Sequence, residues 1–227
     1  MKNFLISIAA ISAAVLISSC KESFPSKVIS VETVDGCTLV TSEVYPVPGD
    51  TIKVWIGLPE GEWDGRLVGT GGAGFYGGKS SNAIKCAKKG MVGVASNCGH
   101  DNEDWTWLYD PETKGLNEVK IKDFGHYALH VMTVYAKEYV KKTYGKYPHH
   151  SYFTGSSTGG RHALQVAQKY PQDYNAVFSG CPAWHNDIYV PARAWGQVAM
   201  KEAGHYLSPS KVKYAKDAVI AFEDPKD

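Results

Sequence analysis

Net charge is almost absent from this chain: 24 Lys and Arg stand against 23 Asp and Glu, leaving +1 with the histidines neutral. No basic stripe interrupts that balance, so the electrostatic footprint of a nucleic-acid binder is missing. Cysteine is scarce, at five residues, and no pair of cysteines with a pair of histidines falls at zinc-ligand spacing. Internal repeats and low-complexity tracts are also lacking, which argues against a repeat architecture. The one long apolar stretch, Phe4 to Ile17, is short for a membrane span. Tyr (14) and Trp (6) are plentiful, and suit core packing or an aromatic ligand.

That apolar stretch has the length of a secretion signal's middle region, behind the short polar start Lys2-Asn3. Ile17-Ser18-Ser19-Cys20 then resembles the bacterial lipoprotein cleavage motif. The reading is a signal peptide over residues 1–19, lipid on Cys20, a polar tether over 20–27, and an exported lipoprotein of the outer membrane; Lys21 after the cysteine favours that membrane. An ordinary signal peptide with a chance cysteine is the alternative. Lipid at Cys20 anchors a protein without spanning the bilayer. Cys37, Cys86, Cys98 and Cys181 remain in the mature chain. An oxidising compartment permits disulfides, and four cysteines allow three pairings, among which the sequence does not choose.

Along the chain, Val28–Val34, Leu39–Val47 and Ile52–Leu58 alternate as strands, with Pro46, Pro48, Gly49 and Asp50 forming a turn. Arg66–Thr70 is a short strand entering GTGGAGFYGG (Gly69–Gly78). Asn82–Lys89 reads as helix, Met91–Ser96 as strand and Asn97–Leu116 as a polar, aromatic-rich loop. Phe124, Tyr127, Ala128, Val131, Val134, Tyr135 and Val140 recur at helical spacing, predicting a helix over Asp123–Tyr144. A strand at Tyr152–Thr154, a helix at Gly159–Tyr170 and a strand at Ala176–Gly180 follow, then helices at Pro191–Ala203 and Ser208–Phe222. Strands alternating with helices from Leu67 onward predict a mostly parallel sheet covered on both faces, preceded by antiparallel strands at one edge. This is the α/β class, in the layout of an α/β-hydrolase.

Between the strand at Tyr152 and its helix lies Gly155-Ser156-Ser157-Thr158-Gly159, a G-x-S-x-G nucleophile elbow. An elbow serine sits in a strained turn whose neighbours crowd the backbone, so small residues are needed two positions away on each side. The following helix aims its N-terminus at the serine oxygen, where its dipole favours developing negative charge. A glycine-rich turn without chemistry is the alternative, and a phosphate-binding loop is a second, disfavoured by the absent P-loop lysine. Two donors must hold a tetrahedral oxyanion. Thr158 N–H is the expected first, and Gly71 or Gly72 in the earlier glycine loop the expected second.

The block KDFGHYALHVMTVYAKEYVKKTYGKYPHHSYFTGSSTGGRHALQVAQKYPQDYNAVFSGCPAW (Lys122–Trp184) resembles the tannase and feruloyl esterase family. WDGRLVGTGGAGFYGG (Trp63–Gly78) and GMVGVASNCGH (Gly90–His100) resemble that family's other blocks, in the same order. The resemblance implies an α/β-hydrolase cutting esters of aromatic acids, such as gallate or ferulate esters or terephthalate monoesters, free or attached to plant polysaccharide or polyphenol. It maps the nucleophile onto Ser157, within Ser-Thr-Gly-Gly-Arg (Ser157–Arg161). It implies no cofactor for the chemistry. Two departures stand out. Members commonly carry a cysteine just before the nucleophile, disulfide-bonded to one beside the catalytic histidine; Ser156 stands here. Ser208–Asp227 resembles the segment leading into the family's calcium loop in its lid domain, with Asp224 and Asp227 as first carboxylates of a structural calcium site; solvated surface charges are the alternative. The implied division is a hydrolase core over 28–190 and the start of a lid over 191–227.

An elbow serine needs a base, and in this fold the chain order is Ser, acid, His. After Ser157 only His162, His185 and His205 remain. His162 follows in the helix and is expected to point away from the serine oxygen. His185, in Cys181-Pro182-Ala183-Trp184-His185, is expected to line the substrate pocket or cap a loop, and His205 to be a surface residue. His100 and His130 precede the serine and read as structural. The expectation is a serine ester hydrolase whose catalytic Asp and His are not among these residues. A catalytically inactive surface lipoprotein binding aromatic or glycan-linked ligands is the alternative, and a different α/β-hydrolase, such as a polyester depolymerase or acyltransferase, the third.

Overall fold

The computed structural model describes residues 22–101 and 104–224; the expected signal peptide, Cys20 and Asp227 lie outside them. A seven-stranded sheet is built from β1 (Ser26–Val34), β2 (Cys37–Val44), β3 (Ile52–Leu58), β4 (Arg66–Thr70), β5 (Val92–Ser96), β8 (His150–Ser156) and β9 (Ala176–Gly180). Its spatial order is β1-β2-β3-β5-β4-β8-β9. The first three strands pair antiparallel, as does β3 with β5, and the β5-β4-β8-β9 half is parallel. Residues of β5 are buried throughout, as expected of a central strand covered on both faces.

The helices that cover the sheet are α1 (Ser80–Ala87), α3 (Ala128–Tyr144) and α4 (Thr158–Lys169). Their faces follow from the strand period. Leu39 packs in a cluster with Ile84 and Ala87 of α1. The next residue, Val40, belongs to the main cluster with Leu129, Met132, Ala136 and Val140 of α3 and Ala163 and Val166 of α4. Successive side chains on a strand point to opposite faces, so α1 covers one face and α3 and α4 the other. Phe153, from β8, is 1% exposed at the centre of the larger cluster. Phe153→Ala is expected to lower unfolding stability by about 3–5 kcal/mol; an unfolding free energy from denaturant titration that falls by less than a quarter of that amount places Phe153 outside the core.

Three segments depart from the sequence reading. The helix predicted from Asp123 starts earlier, as α2 (Glu118–Lys122), capped by Asn117 whose side chain accepts the Lys120 N–H. It passes through a π-helical turn at Asp123–Tyr127 before α3. The apolar spacing marked the helix but not the extra residue within it, which a π turn accommodates. The loop before it contains a 3₁₀ turn at Thr106–Leu108 and a small hairpin of β6 (Tyr109–Asp110) and β7 (Gly115–Leu116). Trp107 there is buried, stacked on His100 at 4.1 Å.

The expected tether is also packed where it is described. His130 is held by Asp173 on Nδ1 (2.7 Å) and Glu22 on Nε2 (2.8 Å). Phe24 meets Tyr127 edge-on, and Pro25 O accepts the Tyr45 N–H. The two carboxylates raise the His130 pKa against the opposing effect of burial.

Beyond β9 come α5 (Asn186–Glu202) and α6 (Pro209–Glu223). No residue of α6 is buried, and Trp195, Tyr214 and Phe222 are exposed. Phe178 on the edge strand β9 is exposed as well. Among the described residues no helix is long and apolar enough to cross a membrane.

Candidate active site

Ser157 joins β8 to α4 with φ 57° and ψ −120°, a combination that favours glycine and strains any residue with a Cβ. Three backbone bonds hold it there. Its N–H donates to Gly180 O at 3.0 Å, and its carbonyl accepts from Arg161 N–H and Ala183 N–H, each at 3.0 Å. The side chain is thereby presented to solvent. The glycines of the motif are required by approach distance. A Cβ on Gly155 meets Gly159 O at 2.3 Å, and one on Gly71 meets Gly159 Cα at 2.6 Å. Strand, helix and glycine loop therefore cross at a point that leaves no room for a methyl group.

Thr158 is the first residue of α4, where a backbone N–H has no intrahelical acceptor. It sits where the first oxyanion donor is expected. Its buried side chain does separate work, donating from Oγ1 to Gly74 O at 2.8 Å and tying the glycine loop to the elbow.

The amides of Gly71 and Gly72, the expected second donors, both have partners within the protein. Gly71 N–H donates to Thr154 O at 3.1 Å, and Gly72 N–H to His162 Nδ1 at 3.3 Å. Ala73 and Tyr76 exchange backbone bonds. Gly71 and Gly72 are thus both committed within the protein, and Gly74 is the first residue of the loop whose N–H has no hydrogen-bond partner among the described residues. The sequence placed the loop opposite the serine but carried no information on which of its amides the fold would consume.

The histidines occupy distinct places. His162 is fully buried, with Nε2 3.0 Å from Phe124 O; burial, then the neighbouring Arg161 charge, push its pKa down to about 3. His100 is buried against Trp107, with Nε2 2.7 Å from Phe75 O. His185 is exposed, in left-handed backbone conformation (φ 55°, ψ 51°) just before α5, and faces the Trp184 ring edge-on at 6.0 Å. It lies two residues past Ala183, whose N–H is bonded to Ser157. His205 is exposed. Among the described residues, no hydrogen bond reaches the Ser157 hydroxyl.

None of the three disulfide pairings is formed: Cys37, Cys86, Cys98 and Cys181 are free thiols. Burial pushes the Cys98 thiol up to about 12, so it is inert as a nucleophile. Of the two carboxylates read as a calcium loop, Asp224 follows the end of α6, with its N–H on Ile220 O. No group of three or more His, Cys, Asp or Glu among the described residues is placed to hold a metal ion. Calcium takes six to eight oxygens, more than Asp224 supplies by itself.

A serine raised on a strand-to-helix turn, at the end of parallel strands and against a glycine loop, defines an α/β-hydrolase. The fold agrees with that of an esterase from Aspergillus oryzae (TM-score 0.66, 24% identity, covering 78% of this chain and 38% of that one). It also agrees with feruloyl esterase B from the same organism (TM-score 0.64, 25% identity, 75% and 37%). A family model described as tannase and feruloyl esterase matches residues 37–227, and the chain belongs to that family. Curated relatives include a probable feruloyl esterase of Arthroderma benhamiae, 27% identical over 86% of this chain, and a probable feruloyl esterase B-2 of Aspergillus flavus, 33% identical over 72%. The chain spans 37% and 30% of their lengths. The family's enzymes are carboxylic ester hydrolases that act on aromatic esters.

Proposed function

We propose that this protein is a serine carboxylic-ester hydrolase for esters of hydroxycinnamic or gallic-type acids, working through an acyl-enzyme on Ser157. The observation that carries the reading is the backbone of Ser157: a strained, solvent-facing serine at the N-terminus of α4, with a glycine loop packed against it. Ser157 Oγ attacks the ester carbonyl, the alcohol leaves, and water releases the acid. Thr158 N–H and an amide of the glycine loop hold the oxyanion. His185, beside the exposed Trp184, is proposed to line the substrate pocket. The base that takes the serine proton, and the acid that orients it, are proposed to come from the part of the family's sequence that this chain does not span. The same reading takes the protein as an exported lipoprotein anchored through Cys20 in the outer membrane.

Incubation with methyl ferulate and methyl gallate, followed by intact-mass and peptide mapping, tests the mechanism. With the proposed base and acid supplied, a feruloyl or galloyl adduct on Ser157 is expected, together with free acid. Free acid released with no adduct on Ser157, and undiminished by blocking that residue, overturns it. Binding of the esters without turnover, unchanged in Ser157→Ala, establishes instead a surface module that only binds aromatic ligands.

A further inference from the structure

His162 is a buried imidazole whose two nitrogens have opposite partners. Gly72 N–H is a donor, so Nδ1 facing it at 3.3 Å must offer a lone pair. Phe124 C=O is an acceptor, so Nε2, 3.0 Å away, must carry the proton. One neutral tautomer satisfies both bonds, and the imidazolium satisfies only one. The Arg161 guanidinium approaches Nε2 at 3.4 Å, further than the carbonyl, and its charge opposes protonation.

The Phe124 carbonyl is available because of the π turn. Ala128 N–H bonds to Asp123 O, five residues back, instead of to Phe124 O, four back. An ordinary helical turn assigns that carbonyl to Ala128. The extra residue frees it, and the Phe124 ring packs edge-on against His162 at 5.4 Å. A continuous path then runs from the π turn through Phe124 O, His162 and Gly72 N–H into the loop facing Ser157. With Gly71 N–H on Thr154 O and Thr158 Oγ1 on Gly74 O, it makes three ties on consecutive parts of that loop.

We propose that His162 is a positioning residue for the oxyanion site: as the Nε2–H tautomer, braced on the π-turn carbonyl of Phe124, it takes up the Gly72 amide and so sets the loop that supplies the second oxyanion donor. The proposal rests on Ser157 being the nucleophile, but its physical core is testable without turnover. Nitrogen NMR of the full chain is expected to show His162 as the Nε2–H tautomer, without titration between pH 5 and pH 9. His162→Gln keeps an acceptor for Gly72 and a donor for Phe124, so Gly72 amide exchange stays slow. In His162→Leu that exchange accelerates. In aryl-ester assays the Gln variant is expected within a few-fold of wild type. The Leu variant should lose roughly 10²-fold in kcat with KM little changed, the scale of one misplaced oxyanion donor. An Nδ1–H tautomer, titration near neutral pH, or a folded Leu variant with full kcat and slow Gly72 exchange overturns the proposal. If the protein carrying its proposed base and acid hydrolyses no aryl ester, the proposed function fails while the tautomer and exchange measurements still decide the role of His162. If the Leu variant does not fold, the Gln variant and the wild-type spectrum carry the decision.

Discussion

With the base and acid of the proposed function supplied, Ser157→Ala is expected to lower aryl-ester turnover by roughly 10⁴–10⁶-fold, the loss seen when a hydrolase triad is deprived of its nucleophile. Thr158 N–H and the glycine loop persist in the variant, so the residual rate should stay above that of water. The fold should be untouched, because the Ser157 hydroxyl has no hydrogen-bond partner among the described residues and is exposed. Ser157→Gly sharpens the test. At φ 57° and ψ −120° a Cβ is strained and glycine is not. The glycine variant should therefore be as inactive as the alanine variant yet melt at a higher temperature, the signature of strain held at a functional residue. Turnover within tenfold of wild type in either variant removes Ser157 from the chemistry. A glycine variant that melts lower removes the strain argument alone.

Asp123→Asn is expected to give the largest change in the pH dependence of stability. Asp123 and Asp50 are both nearly fully buried, and Asp123 Oδ2 has no hydrogen-bond partner among the described residues. Lys120 Nζ lies 3.1 Å from Asp50 Oδ1, so it serves Asp50 first. Burial, then the Asp50 charge, push the Asp123 carboxyl up to about 8, and Lys120 and Lys122 only partly oppose them. The folded state thus holds a proton that the unfolded chain, near its ordinary value of 3.8, releases. Wherever the native state binds more protons, stability falls as pH rises. The contribution is whole below about pH 4 and lost progressively up to about pH 8. Asparagine mimics the protonated acid at every pH. The variant should match wild type at pH 5 and exceed it at pH 9, flattening the thermal-melt profile between them. His130, raised by Asp173 and Glu22, adds a slope of the same sign from neutral pH upward, which the variant retains. An unaltered profile in Asp123→Asn places the shared proton elsewhere.

Much of the architecture was legible because it depends on local rules. Ile52–Leu58, Arg66–Thr70 and Ala176–Gly180 appear with the boundaries that alternation and turn residues predict, since a strand with one buried face must keep its period. The elbow was legible for a related reason. Its glycines answer a steric limit that holds within a few residues of the serine, so the motif carries its own geometry. The hairpin at Tyr109–Leu116 and the early start of the helix at Glu118 were not legible. Both sit in a polar segment where one hidden contact, Trp107 on His100, outweighs local propensity.

From residue order alone came the fold class and the turn that carries Ser157, because periodicity and glycine spacing act along the chain, while the family came from the resemblance of whole blocks such as Lys122–Trp184. The fate of the glycine loop's amides did not come that way. Gly71 N–H is taken by a strand residue 83 positions on and Gly72 N–H by a histidine 90 positions on. Nor did the π turn that frees Phe124 O for that histidine, or the pairing of Asp50 with Asp123 across 73 residues. Each of these is a contest for a hydrogen bond or a proton between groups distant in sequence, and it is settled by which groups share a small, dry volume once the sheet and its helices have closed.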